Sequence, residues 1–356
     1  MTSGTTTISF ERVVPSQRRW NTTLLSVVCL TIIGLAAVDI IARSRGYGEV
    51  YPTATDVWVA QWFKLDHSPS ERTVFLGTSR TKFGLILDEW EAATNERPLI
   101  LAWPGSSPQP VLHELANRKN YSGTIICGVA PTFLFNSPDI PWTNWMNTNI
   151  QQKDILRVSL SFYLSKWGRG ILRKHFRFLN EGAFSPVELL RRNLNLTDRE
   201  GMLLPFLPPY FSYQNGELQS QFADGADEDD KIIQNMRNLF LSGMEIMRHY
   251  GATDMDTMIN QVTEDISQIK SRGGRVIFVR HPSAGKFLEF EKEHYPRKKF
   301  FDRLCKETDS FGIHFEDYPE LADYDCPEWS HLKPQDAKEY TRKIVQIIAK
   351  HDAGDL

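Results

Sequence analysis

The sequence predicts an α/β domain built on a parallel sheet and preceded by one membrane-spanning helix. From residue 71 onward, short continuous apolar runs alternate with segments of helical periodicity. This pattern is typical of parallel strands that helices cover on both faces. One long apolar segment, 24–42, stands before it and contains a single charged residue, Asp39. A chain of 356 residues is long enough for one large domain or two modest ones.

The segment 24–42 has the length and composition of a transmembrane helix. About 20 apolar residues span a bilayer core, and Trp20 stands at the boundary, as interfacial aromatic residues do. A cleaved signal peptide and a buried helix of a soluble protein are the alternatives. Signal segments are shorter, at about 7–15 residues, and Leu35-Ala36-Ala37 is a poor match to a cleavage site. Arginines are more frequent before the segment than after it, which favours a cytoplasmic N-terminus.

These patterns divide the chain into four parts. We expect a cytoplasmic tail at 1–19, an anchor at 20–42, a stem at 43–70 and the α/β domain at 71–356. In the stem, 57–63 is expected to form a short amphipathic helix against the membrane or the domain.

Apolar runs and periodicity predict the elements of the domain in order. The expected strands are 73–76, 98–103, 124–129, 275–279 and 312–315. The expected helices are 108–118, 257–271, 288–310 and 334–350. From about 136 to 250 no clean strand is visible, so we interpret this region as an insertion over the functional edge of the sheet. Within it, 163–178 has the pattern of a basic amphipathic helix.

Two short segments at opposite ends of the domain carry the candidate chemistry. Gly77-Thr78-Ser79-Arg80 places a hydroxyl on the turn that leaves the first strand, and Glu328-Trp329-Ser330-His331 supplies a carboxylate and an imidazole. A serine nucleophile needs a base, and the base needs an orienting acid. Asp325 is an alternative acid. Otherwise Ser79 would cap the next helix, and His331 would be a surface residue.

In this order, the residues resemble the blocks of the SGNH/GDSL hydrolase superfamily, most closely its membrane-anchored, periplasm-facing members that modify polysaccharides. Gly77-Thr78-Ser79 matches the Gly-Asp-Ser turn of the family's first block, Gly105 matches the glycine of the second, and Glu328 to His331 matches the final Asp-x-x-His. The resemblance implies a three-layer α/β/α, flavodoxin-like domain, with Ser79, His331 and Glu328 as catalytic residues. It also implies that the N–H groups of Ser79 and Gly105 form an oxyanion hole. The alternative for Gly105 is that it is only a turn glycine.

The chain departs from the family pattern at two positions. Thr78 replaces the usual Asp, and Gly128-Val129-Ala130-Pro131 stands where the family has Gly-x-Asn-Asp. The Asn side chain that completes the oxyanion hole is therefore missing from its usual position, and Asn136 is a candidate to replace it.

Other residues offer weaker candidates for a site. Arg80 and Arg280 follow predicted strands and could bind an anionic or polyhydroxyl substrate, or form salt bridges to the acidic segment 315–325. Cysteine and histidine spacings do not indicate a metal site, and we expect no cofactor. Cys305 and Cys326 could pair in an exported domain. The formal net charge of -3 gives no reason to expect a nucleic-acid partner.

The sequence therefore suggests an O-acyl ester hydrolase or O-acetyltransferase that forms an acyl-serine. The resemblance places it on the inner membrane with its domain in the periplasm, acting on an acylated glycan or a small acyl ester. The alternative is a non-catalytic SGNH-like accessory protein that binds glycan or a multi-span membrane acyltransferase.

Overall fold

In a computed structural model of the chain, the described residues are 17–44, 51, 53–137, 145–177 and 212–355. Five strands form one parallel sheet: β1 (Val74–Leu76), β2 (Leu99–Ile100), β3 (Thr124–Gly128), β6 (Arg275–Arg280) and β7 (Phe311–His314). Their order across the sheet is β2-β1-β3-β6-β7. The strands are buried along most of their length, as continuous apolar runs require. The prediction of an α/β domain with five parallel strands is confirmed.

Helices connect the strands and cover the sheet. Those described are α1 (Gln17–Ser44), α2 (Thr55–Trp62), α3 (Ser79–Gly84), α4 (Leu87–Thr94), α5 (Gln109–Ala116), α6 (Pro131–Leu134), α7 (Trp145–Arg157), α8 (Leu160–His175), α9 (Asp230–Tyr250), α10 (Met255–Lys270), α11 (Gly285–His294), α12 (Phe301–Glu307), α13 (Pro319–Ala322) and α14 (Pro334–Ala353). Helix α5 packs beside α10, and α4 packs beside α14. The β1–β2 and β2–β3 connections run in opposite directions across the sheet. Because such crossovers are right-handed, their helices lie on opposite faces of the sheet.

Three predicted elements differ from the structure. The expected helix 288–310 is two helices, α11 and α12, because Pro296 lies between them and cannot continue the hydrogen-bond ladder. The insertion contains an antiparallel hairpin, β4 (Ser212–Gln214) and β5 (Ser220–Phe222), whose strands are too short to show a periodicity. Helix α2 lies in the segment expected to be a stem, but it packs into the core of the domain.

Helix α2 is held there by buried aromatic packing. Trp58 is fully buried, stacks on Trp62 with ring centroids 5.5 Å apart, and donates its indole N–H to the carbonyl of Leu101 at 2.9 Å. The ordered domain therefore includes residues from about 55 onward, and the segment 57–63 contacts the domain.

Helix α1 contains the apolar segment seen in the sequence. Residues Arg19–Ile41 form a helix long and apolar enough to cross a membrane, and none of its most apolar window is buried against the rest of the chain. Most of the expected cytoplasmic tail, 1–16, lies outside the described residues.

The carboxyl ends of all five parallel strands meet at one edge of the sheet. From β1 the chain first adds β2 on one side and then β3 on the other, so the strand order reverses between β1 and β3. In open α/β sheets, ligands bind in the crevice at such a reversal. Ser79 follows β1, Gly105 follows β2, and Arg280 ends β6. The sheet therefore brings the predicted site residues of the first two blocks to one edge.

We expect Gly128→Ala to destabilise the protein, because Gly128 lies where β3 passes the helix that follows β1. A Cβ atom there would lie 2.0 Å from Thr81 Oγ1 and 2.7 Å from His281 Nε2. Those two side chains are buried and hydrogen-bonded to each other at 3.2 Å, so they have little room to move, and overpacking costs about 1–3 kcal/mol. Thermal and urea denaturation would measure the change.

Gly243→Ala is the matched control. Gly243 lies inside α9, and a Cβ atom there would meet no atom within 4 Å, so the substitution should increase stability by up to about 1 kcal/mol. Equal stability of Gly128→Ala and the wild type would contradict the close packing of β3 against α3.

Candidate functional site

Ser79 is the first residue of α3, directly after the turn that leaves β1. Thr78 caps this helix, and its hydroxyl accepts a hydrogen bond from the N–H of Arg80 at 3.3 Å. Threonine therefore performs at this position the capping that an aspartate also performs well. Because Thr78 is the cap, Ser79 is not needed for that role. Its side chain is half-buried at the carboxyl edge of the sheet.

Glu328 and His331 form a buried pair on the loop before α14. Nδ1 of His331 is hydrogen-bonded to Oε1 of Glu328, and Oε2 of Glu328 accepts from the N–H groups of Ser330 and His331 at 3.0 Å each. Both side chains are almost fully buried. The carboxylate thus fixes the orientation of the imidazole, as an orienting acid does, and it leaves Nε2 as the nitrogen to exchange a proton.

Two contacts bring this loop against the helix that bears Ser79. Phe83 stands one turn after Ser79, on the same face of α3, and its ring lies 4.2 Å from the imidazole of His331, measured between centroids. Arg80, next to Ser79, donates from Nε to the hydroxyl of Ser330, next to His331, at 3.1 Å. The structure therefore places the first and last predicted blocks side by side, although 250 positions separate Arg80 from Ser330.

The predicted insertion contributes aromatic rings around the imidazole. Phe222 of β5 and Phe240 of α9 lie 6.4 and 6.3 Å from His331 between ring centroids. In addition, Arg237 of α9 donates two hydrogen bonds to the carbonyl of Pro327, which precedes Glu328. The described part of the insertion thus covers the His331 loop.

Asp325 lies apart from this arrangement. Its carboxylate pairs with Lys333 at 3.1 Å and is 63% exposed. Glu328 is therefore the acid that contacts His331.

Gly105 lies beside the turn that bears Ser79. The ladder between β2 and β1 continues past the end of β2, with the N–H of Trp103 donating to the carbonyl of Gly77 at 3.0 Å. Gly105 then adopts a φ of 68°, in the left-handed region that favours glycine. The N–H group of Gly105 is thus two residues after Trp103, whose N–H is hydrogen-bonded to Gly77 in the Ser79 turn.

The segment Gly128 to Pro131 offers no side-chain amide. Ala130 stands where the SGNH pattern has Asn. The side-chain amide of Asn136 donates to the carbonyl of Thr132 at 3.1 Å and accepts from the N–H of Ser137 at 2.9 Å. Asn136 therefore binds its own segment of backbone after β3.

The two arginines predicted to bind substrate instead share a buried carboxylate. Arg80 donates to Oε1 of Glu291 at 2.9 Å, and Arg280 donates to Oε2 at 2.6 Å. All three side chains are at most 3% exposed, and burial lowers the pKa of Arg280 to about 10. The partner is Glu291 of α11, outside the acidic segment 315–325. Both arginines therefore position other groups in this structure.

Lys82 is a residue of the site that the sequence reasoning missed. It is fully buried on α3, three residues after Ser79, and its ammonium donates to the side-chain carbonyl of Gln214 in β4. Burial lowers the pKa of Lys82 to about 7. The Ser-x-x-Lys spacing, which places hydroxyl and amine on one face of a helix, is the signal that could have found it.

Histidine 281 is also buried but has a different character. Its Nδ1 is hydrogen-bonded to the Tyr340 hydroxyl at 3.0 Å and its Nε2 to the Thr81 hydroxyl at 3.2 Å. Burial lowers the pKa of His281 to about 3, so the ring is neutral and links α3, β6 and α14.

Cysteines and metal ligands do not form a site in the part of the chain that the structure describes. No group of three or more His, Cys, Asp and Glu side chains there could hold a metal ion. All four cysteines are free thiols, so Cys305 and Cys326 are not bonded to each other.

Comparison with protein-family models and with curated proteins found no match for this chain.

We expect stability to depend on pH through Lys82. The amine has a pKa of about 7 in the folded protein and about 10.4 when unfolded. Between these values the unfolded state binds the proton and the folded state does not. The free energy of unfolding should therefore rise with pH across this window, by at most about 1.4 kcal/mol per pH unit from this group.

Lys82→Met removes this dependence and supplies the test. Urea denaturation at about pH 7 and about pH 10 would give the difference in unfolding free energy between variant and wild type. The unfolding free energy of the variant, minus that of the wild type, should be larger at about pH 7 than at about pH 10, because only the wild type carries the buried amine. The same substitution at the exposed Lys338 is the control, and parallel curves for Lys82→Met and the wild type would contradict the expectation.

Proposed function

We propose that this chain is a membrane-anchored serine esterase or O-acyltransferase of the SGNH type, which acts on acyl esters of an extracytoplasmic glycan. The observation that carries the proposal is the buried Glu328–His331 pair, held against the helix that begins at Ser79. The strand order supports a flavodoxin-like arrangement. Counted along the chain, the sheet runs second-first-third-fourth-fifth, which is the flavodoxin-like order.

The proposed reaction begins with proton transfer from the hydroxyl of Ser79 to Nε2 of His331. The serine oxygen attacks the acyl carbonyl, and the tetrahedral intermediate collapses as the imidazolium returns the proton to the leaving alcohol. Water or a sugar hydroxyl then loses a proton to His331 and attacks the acyl-serine, and the imidazolium returns that proton to the oxygen of Ser79 as the acyl product leaves. Glu328 holds the Nδ1 proton and stabilises the imidazolium throughout.

The oxyanion hole would consist of the N–H groups of Ser79 and Gly105. The first N–H groups of a helix have no partner within the helix, so that of Ser79 can face the substrate. The third donor of the family is missing at Ala130. One such donor is worth about 10²–10³ in rate, so the chemical step should be slow for a serine esterase.

A polar groove supports a carbohydrate substrate. It lies between α9 and the loop before α14, has a volume of about 590 Å³, and borders Pro327, the neighbour of Glu328. Its lining side chains include Asp227, Asp230, Gln234, Asp325 and Lys333. Such side chains offer hydrogen-bond partners to hydroxyl groups. Helix α1 would anchor the protein in the inner membrane, with the domain in the periplasm.

Ser79→Ala should abolish ester hydrolysis. We expect the full chain in detergent to hydrolyse p-nitrophenyl acetate, and both Ser79→Ala and His331→Ala to lower kcat by at least about 10³-fold, because each removes a member of one catalytic unit. Ser122→Ala is the matched serine control, because Ser122 precedes β3 at the opposite edge of the sheet. Equal turnover by Ser79→Ala and the wild type would remove Ser79 from the chemistry.

Glu328→Gln should lower kcat by about 10³–10⁴-fold with little change in KM, because an amide in place of the carboxylate disfavours the productive tautomer of His331. Asp325→Asn is the matched control and should retain the kcat for p-nitrophenyl acetate, since Asp325 pairs with Lys333 and does not contact His331, and this small ester does not need the sugar groove. Steady-state kinetics of both variants would decide which acid orients the imidazole. Loss of activity in Asp325→Asn alone would reverse the assignment.

The second candidate function is a non-catalytic accessory protein that binds glycan or a multi-span membrane acyltransferase. The absence of the third-block Asn at Ala130 favours it. A fluorophosphonate probe separates the two functions, because it labels a serine only when that serine is activated. Labelling that disappears in Ser79→Ala and in His331→Ala supports the enzyme, and a folded chain that takes no label supports the accessory protein.

A further inference from the structure

Helix α8 presents a stripe of large apolar side chains to the outside of the protein. Leu160, Leu164, Trp167 and Ile171 follow one another at helical spacing and are all exposed, Leu160 at 71% and Trp167 at 70%. Residues at i, i+4, i+7 and i+11 lie on one face of a helix. Contiguous exposed apolar surface of this kind marks an interaction site on a protein or a membrane.

The opposite face of α8 is already occupied by the domain. Phe162 is buried and packs edge-to-face on Phe63, with centroids 6.0 Å apart. Arg169 forms an ion pair with Asp56 of α2 at 2.7 Å. Because these residues lie about half a turn away from the apolar stripe, the domain itself holds the stripe outward.

The C-terminal end of α8 is attached to the end of α1. Arg43 donates to the carbonyl of His175 at 2.6 Å, and the N–H of Arg177 donates to Oδ1 of Asp39 at 2.5 Å. Arg43 also pairs with Asp39 at 2.7 Å. Asp39 lies at the end of the apolar segment Arg19–Ile41 that faces the domain, and Arg43 follows that segment by two residues. The C-terminal end of α8 therefore lies at the level at which α1 would leave a bilayer.

The composition of this segment matches an anionic lipid surface. From Leu160 to Arg177 the sequence contains Lys166, Arg169, Arg173, Lys174 and Arg177 but no Asp or Glu. Basic residues beside a stripe of Trp, Tyr and Leu are typical of helices that lie in the membrane interface. Negative headgroups also attract Lys and Arg side chains near the membrane surface.

We propose that α8 lies in the headgroup region of the membrane that α1 spans, with Leu160, Leu164, Trp167 and Ile171 turned toward the acyl chains. A single span lets the domain rotate and tilt freely, whereas a second contact at α8 fixes its orientation on the membrane. This inference rests on the membrane anchor of the proposed function and is independent of the chemistry at Ser79.

Photo-crosslinking of the full chain tests this inference. The protein would be reconstituted into vesicles of phosphatidylcholine and phosphatidylglycerol, with p-benzoylphenylalanine placed singly at Trp167, at Phe162 or at Leu30. Leu30 lies in the apolar segment of α1 and reports whether α1 is in the bilayer. Phe162, on the same helix as Trp167 but on the face packed against the domain, is the matched control.

We expect phospholipid adducts at Leu30 and at Trp167, with a yield at Trp167 at least about tenfold above that at Phe162. Adducts at Leu30 without adducts at Trp167 would overturn the interfacial position of α8 and leave the anchor intact. Crosslinks from Trp167 to a second copy of the chain would overturn it in favour of a protein interface. Absence of adducts at Leu30 would overturn both the anchor and this inference, while the esterase assay tests the chemistry separately.

Discussion

The carboxylate of Glu291 is the group on which the arrangement of the candidate site depends. It binds Arg80 beside Ser79 and Arg280 at the end of β6, and Arg80 in turn binds Ser330 beside His331. One carboxylate thus connects the helix that bears the proposed nucleophile, an interior strand of the sheet and the loop that bears the proposed base. Removing one partner of a buried pair costs about 3–5 kcal/mol because the remaining charge is uncompensated. The network therefore favours one relative position of these three elements.

A buried amine, Lys82, and a buried imidazole, His331, lie near this network and have different hydrogen-bond partners. His331 has the carboxylate of Glu328, whereas Lys82 has the neutral amide of Gln214. A carboxylate stabilises a positive charge that forms on the ring, and an amide does so less well. This difference explains why His331 is the better candidate for a base that cycles between neutral and charged forms. Lys82 instead ties the helix that begins at Ser79 to the hairpin of the insertion.

The sequence predicted the sheet because its signal is local. Apolar runs such as Thr124–Val129 mark buried strands wherever they lie, and each strand of the parallel sheet falls on or beside a predicted one. The Ser79 turn and the Glu328–His331 spacing are local in the same sense. Sequence reasoning failed where the deciding feature is short or distant. A single residue, Pro296, divides an expected helix, and the hairpin strands are too brief to show alternation.

The sequence by itself determined the fold class, the apolar helix α1 and the residue types of the candidate site. Only the tertiary structure decided which of those residues meet. It paired Glu328, and not Asp325, with His331, and it buried Arg80 and Arg280 against Glu291. The physical reason is that residue type and periodicity are properties of a chain segment. The partner of a charged group, by contrast, depends on which segments the sheet order brings together, and that choice sets whether a buried charge is compensated or exposed to substrate.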